Sequence, residues 1–141
     1  NAFDTRITLD DLSQVQPIAD AFMYYDYLCS ILNPDFEKVR KELEPHLTLT
    51  ITRFFVHYAA HSFFLEDDQI LKNCPRIAHI PTYIIHGRYD LVCLPQNAYD
   101  LWQQLPKAEL WYIMNAGHAS CEPGISQALR ICMDKINENW A

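Results

Sequence analysis

Pro81-Thr82-Tyr83-Ile84-Ile85-His86-Gly87-Arg88-Tyr89-Asp90 is an apolar run that breaks into a turn and ends on an acid. Thr82 to Ile85 has the β-branched and aromatic content of a short strand. A second such run, Ala108 to Ile113, is followed by the turn Asn115-Ala116-Gly117 and then by His118. Between the two runs Pro95 opens a helix through about Gln104, with Ala98, Leu101, Trp102 and Leu105 as its apolar side. Pro123 opens a last helix through about Ile136. The order strand, helix, strand, helix is an α/β pattern, with a right-handed parallel crossover expected between the strands. Two parallel strands alone make a poor domain, because a parallel sheet is covered on both faces. The remaining strands are therefore expected from another segment or from a partner chain.

Working back toward the N-terminus, the pattern turns helical between Leu12 and about Leu71. Ile18, Ala21, Phe22, Tyr25 and Cys29 recur on one face, with Leu28 and Ile31 beside it. Asn33-Pro34-Asp35 is a turn that can cap a helix over Phe36 to Leu43, and Pro45 limits that helix. A third helical run spans Leu49 to His61, with Ile51, Phe55, Tyr58 and Ala59 as its apolar face. Glu66-Asp67-Asp68 begins a shorter helix through about Lys72, where carboxylates suit the positive N-terminal end. The expected division is a helical cap segment over residues 1–74 and an α/β core segment over 75–141.

Composition narrows the function classes. Half of the 141 residues are apolar, and eight Tyr, seven Phe and three Trp argue against disorder. A formal net charge of −7 disfavours a nucleic-acid backbone or an anionic membrane surface as partner. No apolar stretch approaches the roughly 20 residues needed to span a bilayer, and no secretory signal is read. The five cysteines, Cys29, Cys74, Cys93, Cys121 and Cys132, form no CxxC or zinc pattern. Buried thiols in a reducing compartment account for them, so a cytoplasmic location is expected. The sequence specifies no oligomeric state.

Asp90 and His118 follow successive strands, and such loops can bring an acid and a base to one rim of a parallel sheet. In a serine-relay hydrolase the histidine takes the nucleophile's proton and the acid holds its tautomer. Asp90 as a turn cap and His118 as an ordinary loop residue is the plainer alternative. His86 is a further candidate base, or a residue that fixes the turn by hydrogen bonding. His57 and His61 lie four apart on a helix, but Tyr58-Ala59-Ala60 between them excludes the His-Glu-x-x-His arrangement. No metal site and no cofactor are expected. With glycine only at 87, 117 and 124 there is no Gly-x-Ser-x-Gly elbow, and Ser120 is too near His118 to replace one. Serine first, then acid, then histidine is the chain order of α/β-hydrolases. Asp90 followed by His118 is thus what the later part of such an enzyme would contain.

These residues resemble the C-terminal part of the proline iminopeptidases, in the α/β-hydrolase superfamily. The resemblance runs from Ile80-Pro81 through His86-Gly87-Arg88-Tyr89-Asp90, then over Gln96 to Trp102 and Ala108-Glu109-Leu110. It continues to Gly117-His118 and Glu122-Pro123. His57-Tyr58 and Asp67 to Leu71 resemble the helical cap of that family, and the likeness extends weakly back to Thr8. The resemblance implies an incomplete α/β-hydrolase fold: a cap segment followed by the last two strand–helix units. It assigns Asp90 as relay acid and His118 as relay base, with the serine and most of the sheet in a preceding hydrolase segment. It implies release of N-terminal proline from a peptide through an acyl-enzyme, the fragment alone being inactive. Cap carboxylates in that family receive the proline amine. Phe22, Tyr25 and Asp26 resemble the family's Trp, Trp and Glu positions, whereas Phe54 and Phe55 stand where its second glutamate is expected. That loss weakens recognition of a protonated amine. It leaves open a serine hydrolase for another small amide or ester, or a non-enzymatic interaction domain of hydrolase ancestry.

Overall fold

In a computed structural model, Ile7 and residues 11–140 are described; Thr8, where the resemblance begins, lies outside them. The chain divides into two compact units. One contains residues 34–67 and the helix that precedes Cys29; the other contains Cys29–Asn33 and residues 68 onward.

The first unit is helical. α1 spans Leu12–Ser30, α2 Phe36–Glu42 and α3 Pro45–Ala60. The faces differ from those expected. α1 buries Val15, Ala19 and Met23, whereas Ala21 and Tyr25 are exposed. α3 buries Thr48, Thr52 and Val56, leaving Ile51, Phe55 and Tyr58 exposed. Both buried stripes repeat at four residues, and apart from Met23 they are built from small or β-branched side chains, which let the backbones approach. Ile7, Val15, Ala19 and Val56 form the core of this unit, with Ile18 and Leu49 packed against it. A polar seam supports it: Gln16 Nε2 donates to Asp20 Oδ1, Pro45 O and Thr48 Oγ1. Pro45 opens α3 at its first position, besides ending the run before it.

Asp35 caps α2, its carboxylate accepting the Lys38 N–H at 3.0 Å. Asp35→Ala is expected to lower stability by about 1 kcal/mol, read as a lower urea midpoint at unchanged slope. After α3 the chain reverses through Ser62, Phe63 and Phe64, all left-handed at φ of 52°, 54° and 57°. Bulky side chains disfavour that region, so the reversal stores local strain.

The second unit carries the sheet. A short α4 covers Gln69–Asn73, starting after Asp68 rather than at Glu66. β1 spans Thr82–Gly87, α5 Pro95–Gln104, β2 Ala108–Ile113 and α6 Pro123–Trp140. β1 pairs with β2 in parallel, from Thr82 opposite Ala108 to Gly87 opposite Ile113. α5 and α6 both pack on the strand pair. α6 turns Ile125, Ala128 and Cys132 inward at helical spacing. The strand pair thus sets its two C-terminal ends side by side.

Candidate active site

Backbone bonds join the loops that leave β1 and β2. Arg88 N donates to Ile113 O at 2.9 Å and Tyr89 N to Ala116 O at 3.0 Å. Gly87 sits where they are closest. Its φ is not positive, so the turn does not need glycine for conformational freedom. A Cβ there would lie 2.7 Å from Ala116 O and Gly117 C. Close approach of two backbones is what excludes a side chain.

This geometry carries Asp90 and His118 together. His118 Nδ1 lies 2.9 Å from Asp90 Oδ2, and the acid is 4% exposed. The other carboxylate oxygen, Oδ1, accepts N–H from Val92 at 2.9 Å and from Cys93 at 2.8 Å. Asp90 therefore caps its own turn and also meets the histidine; the two readings of this residue are compatible. A carboxylate can only accept here, so Nδ1 of His118 carries the proton and neutral Nε2 is left as an acceptor. The His118 side chain is 40% exposed. An imidazole held in this way by a buried acid can take a proton from a nucleophile reaching Nε2.

His86 belongs to the same cluster. Its Nε2 is 2.9 Å from Cys93 O and 3.4 Å from Asp90 Oδ2. A carbonyl partner requires that Nε2 be the protonated nitrogen. His86 thus ties the turn down with the nitrogen it shares with Asp90, the turn-fixing role of its two expected ones. Partial desolvation of its sulfur, and then the Asp90 charge, push the Cys93 thiol up in pKa, which disfavours a reactive thiolate. Cys93 and Cys121 are exposed, Cys29 is half-buried, and all five cysteines are free; only Cys74 and Cys132 are buried as expected of every thiol.

The loop that bears His118 is held from a different direction. Ser30 O accepts N–H from both His118 and Ala119 at 2.8 Å. Gly117 N donates to Glu122 Oε1 at 2.7 Å, and Leu32 N donates to the same oxygen at 3.0 Å. Neither Ser30 nor Glu122 was distinguished by residue type, since a glutamate before a helix-opening proline is unremarkable in sequence. The resemblance includes Glu122-Pro123 without giving it a task, and the need of a buried Gly117 N–H for an acceptor appears only once the loop is folded.

The cap candidates lie in the helical unit. Phe22, Tyr25 and Asp26 stand at i, i+3 and i+4 on α1, hence on neighbouring positions of one face. The Phe22 and Phe55 rings meet at 5.2 Å, and Phe55 meets Phe63 edge-on at 6.0 Å. Tyr25 is 69% and Phe54 64% exposed. Phe54 lines an open recess with Thr50, Arg53 and His57. His61 Nδ1 is paired with His57 O, and its ring stacks on Phe64. Among the described residues no group of three or more His, Cys, Asp or Glu side chains is placed to hold a metal ion. None of the described helices is long and apolar enough to cross a membrane.

No family model matches the chain. It is 35% identical over 137 residues to a proline iminopeptidase of Arabidopsis thaliana, covering 96% of this chain and 36% of that protein. A proline iminopeptidase of Xylella fastidiosa is 38% identical over 137 residues, covering 96% of this chain and 44% of that protein. One from Neisseria gonorrhoeae is 38% identical over 102 residues, covering 72% of this chain and 33% of that protein. The chain thus spans less than half the length of these curated relatives. Over nearly its whole sequence the chain is homologous to proline iminopeptidases, and its mixed α/β architecture around a parallel strand pair is consistent with part of an α/β-hydrolase fold.

Proposed function

We propose that this chain supplies the acid and base of a serine aminopeptidase that releases N-terminal proline from peptides. The observation that carries this reading is the buried Asp90 carboxylate bonded to Nδ1 of His118 at the ends of adjacent parallel strands. In this reading residues 1–74 are the cap segment and 75–141 the later part of the hydrolase core. A serine supplied from outside these residues attacks the prolyl carbonyl while its proton passes to Nε2 of His118. Asp90 stabilises the resulting imidazolium, which gives the proton to the leaving amine; water then releases proline by the same route. Phe22, Tyr25, Asp26, Phe54 and Phe55 are assigned to substrate recognition, with Asp26 receiving the cationic amine. No cofactor enters the cycle, and the reaction is assigned to the cytoplasm.

The test is hydrolysis by the full-length protein of a proline amide, compared with the same substrate acetylated on nitrogen. Release only from the free amine is expected, with Asp26→Asn raising KM more than it lowers kcat. Equal turnover of both substrates would remove the aminopeptidase assignment and leave the relay. The exposed Phe54 and Phe55, where a second cap glutamate is expected, favour that outcome's reading: a hydrolase for another small amide or ester.

A further inference from the structure

Glu122 is a carboxylate that the proposed cycle does not use. It is 8% exposed, and it directly precedes α6, with its own carbonyl accepting the Ser126 N–H. Its Oε1 reaches backward and across instead, taking the N–H of Gly117 and the N–H of Leu32, ninety residues away in sequence. Gly117 is the residue before His118. Ser30, two residues before Leu32, takes the N–H of His118 itself and of Ala119. The segment Cys29–Asn33 belongs to the same compact unit as the strand pair. Four main-chain donors are therefore gathered by one carboxylate oxygen and one carbonyl, and together they fix both ends of the peptide that bears the imidazole. The bonds of 2.7 and 3.0 Å give two main-chain donors an acceptor on one side-chain oxygen.

We propose that Glu122 is a positioning residue: it straps the His118 loop to the segment after α1 and so holds the imidazole against Asp90. This rests on the relay assignment of His118. The strap asks for an acceptor rather than a charge, because both bonds end on a single oxygen. An amide oxygen in the same place can accept them, whereas removal of the side chain leaves two main-chain donors without their acceptor.

The test compares Glu122→Gln, Glu122→Ala and Glu122→Asp in the full-length protein. Glu122→Ala is expected to lower kcat roughly 10- to 100-fold with a much smaller change in KM. It is also expected to broaden or abolish the downfield proton resonance of His118 Nδ1–H bonded to Asp90. Glu122→Gln is expected to keep that resonance and to lose less than roughly tenfold in kcat. If Glu122→Ala does not fold, Glu122→Asp, whose shorter side chain withdraws the acceptor, takes its place with an intermediate loss. A folded Ala or Asp variant with wild-type kcat and an unchanged resonance overturns the strap, as does a folded Gln variant as impaired as Ala. Asp90→Asn and His118→Ala serve as separate controls. Full activity in those variants removes the relay assignment, whereas the resonance still reports whether Glu122 orients His118.

Discussion

Asp90→Asn in the full-length protein is expected to lower kcat roughly 10⁴-fold while the loop after β1 stays in place. The reason lies in how the two carboxylate oxygens are divided. Oδ1 accepts N–H from Val92 and Cys93, so the single oxygen of asparagine is drawn to that side. The amide NH2 then occupies the Oδ2 position, facing Nδ1 of His118. Nδ1 must accept, the ring proton moves to Nε2, and the nitrogen that should receive the serine proton is blocked. The imidazolium also loses its counter-charge. The opposite amide orientation would set NH2 against two N–H donors, so rotation offers no escape. His118→Ala, which removes the base altogether, should cost at least as much. Steady-state kinetics give the size of the loss, and imidazole nitrogen shifts read the tautomer directly. An Asn variant with a protonated Nε2 and wild-type turnover would sink the mechanism; a loss of turnover with Nδ1 still protonated would sink the tautomer argument.

Gly87→Ala is expected to destabilise the second unit by about 3 kcal/mol, more than the same change at Gly124. The added carbon meets main-chain atoms: Ala116 O and Gly117 C at 2.7 Å, and Gly117 O closer still. No side chain can swing aside to make room. Relief requires the loop after β2 to move away, breaking the Tyr89–Ala116 bond and withdrawing His118 from Asp90. A domain stable by roughly 5–15 kcal/mol cannot absorb many such changes. Equilibrium urea unfolding measures the loss. An alanine variant with an unchanged midpoint would show that the two loops are not held as closely as described. Gly124→Ala offers a contrast, because its Cβ would meet only the Ile113 side chain, at 2.6 Å, and a side-chain methyl can be displaced.

The strand pair and its crossover were legible because β-branched runs, Pro95 and Pro123 are local signals that agree with one another. The meeting of Asp90 with His118 was legible for the same reason: each follows a strand, and parallel strands bring such positions together. β1 nonetheless extends two residues beyond Ile85, through His86 and Gly87, because pairing to Tyr112 and Ile113 continues after the apolar run has ended. The helical faces were misread because α1 and α3 contain more large apolar residues than they bury. Ile51, Phe55 and Tyr58 advertise a face, yet Thr48, Thr52 and Val56 make the contact. Size misleads where close packing selects small side chains. Glu122 was part of the resemblance, but its contacts were illegible for a different reason. Its partners are main-chain N–H groups of Gly117 and Leu32, and a main-chain donor leaves no mark on residue type.

The bonds from Arg88 N to Ile113 O and from Tyr89 N to Ala116 O involve no side chain at all. They tie the loop of Asp90 to the loop of His118 through main chain, while Arg88, Tyr89 and Asn115 stand exposed around them. Substitution at those rim positions can alter the charge and shape met by an arriving molecule without re-aligning the proton path. In the proposed relay, what the rim admits can therefore change while the distance the proton travels stays the same.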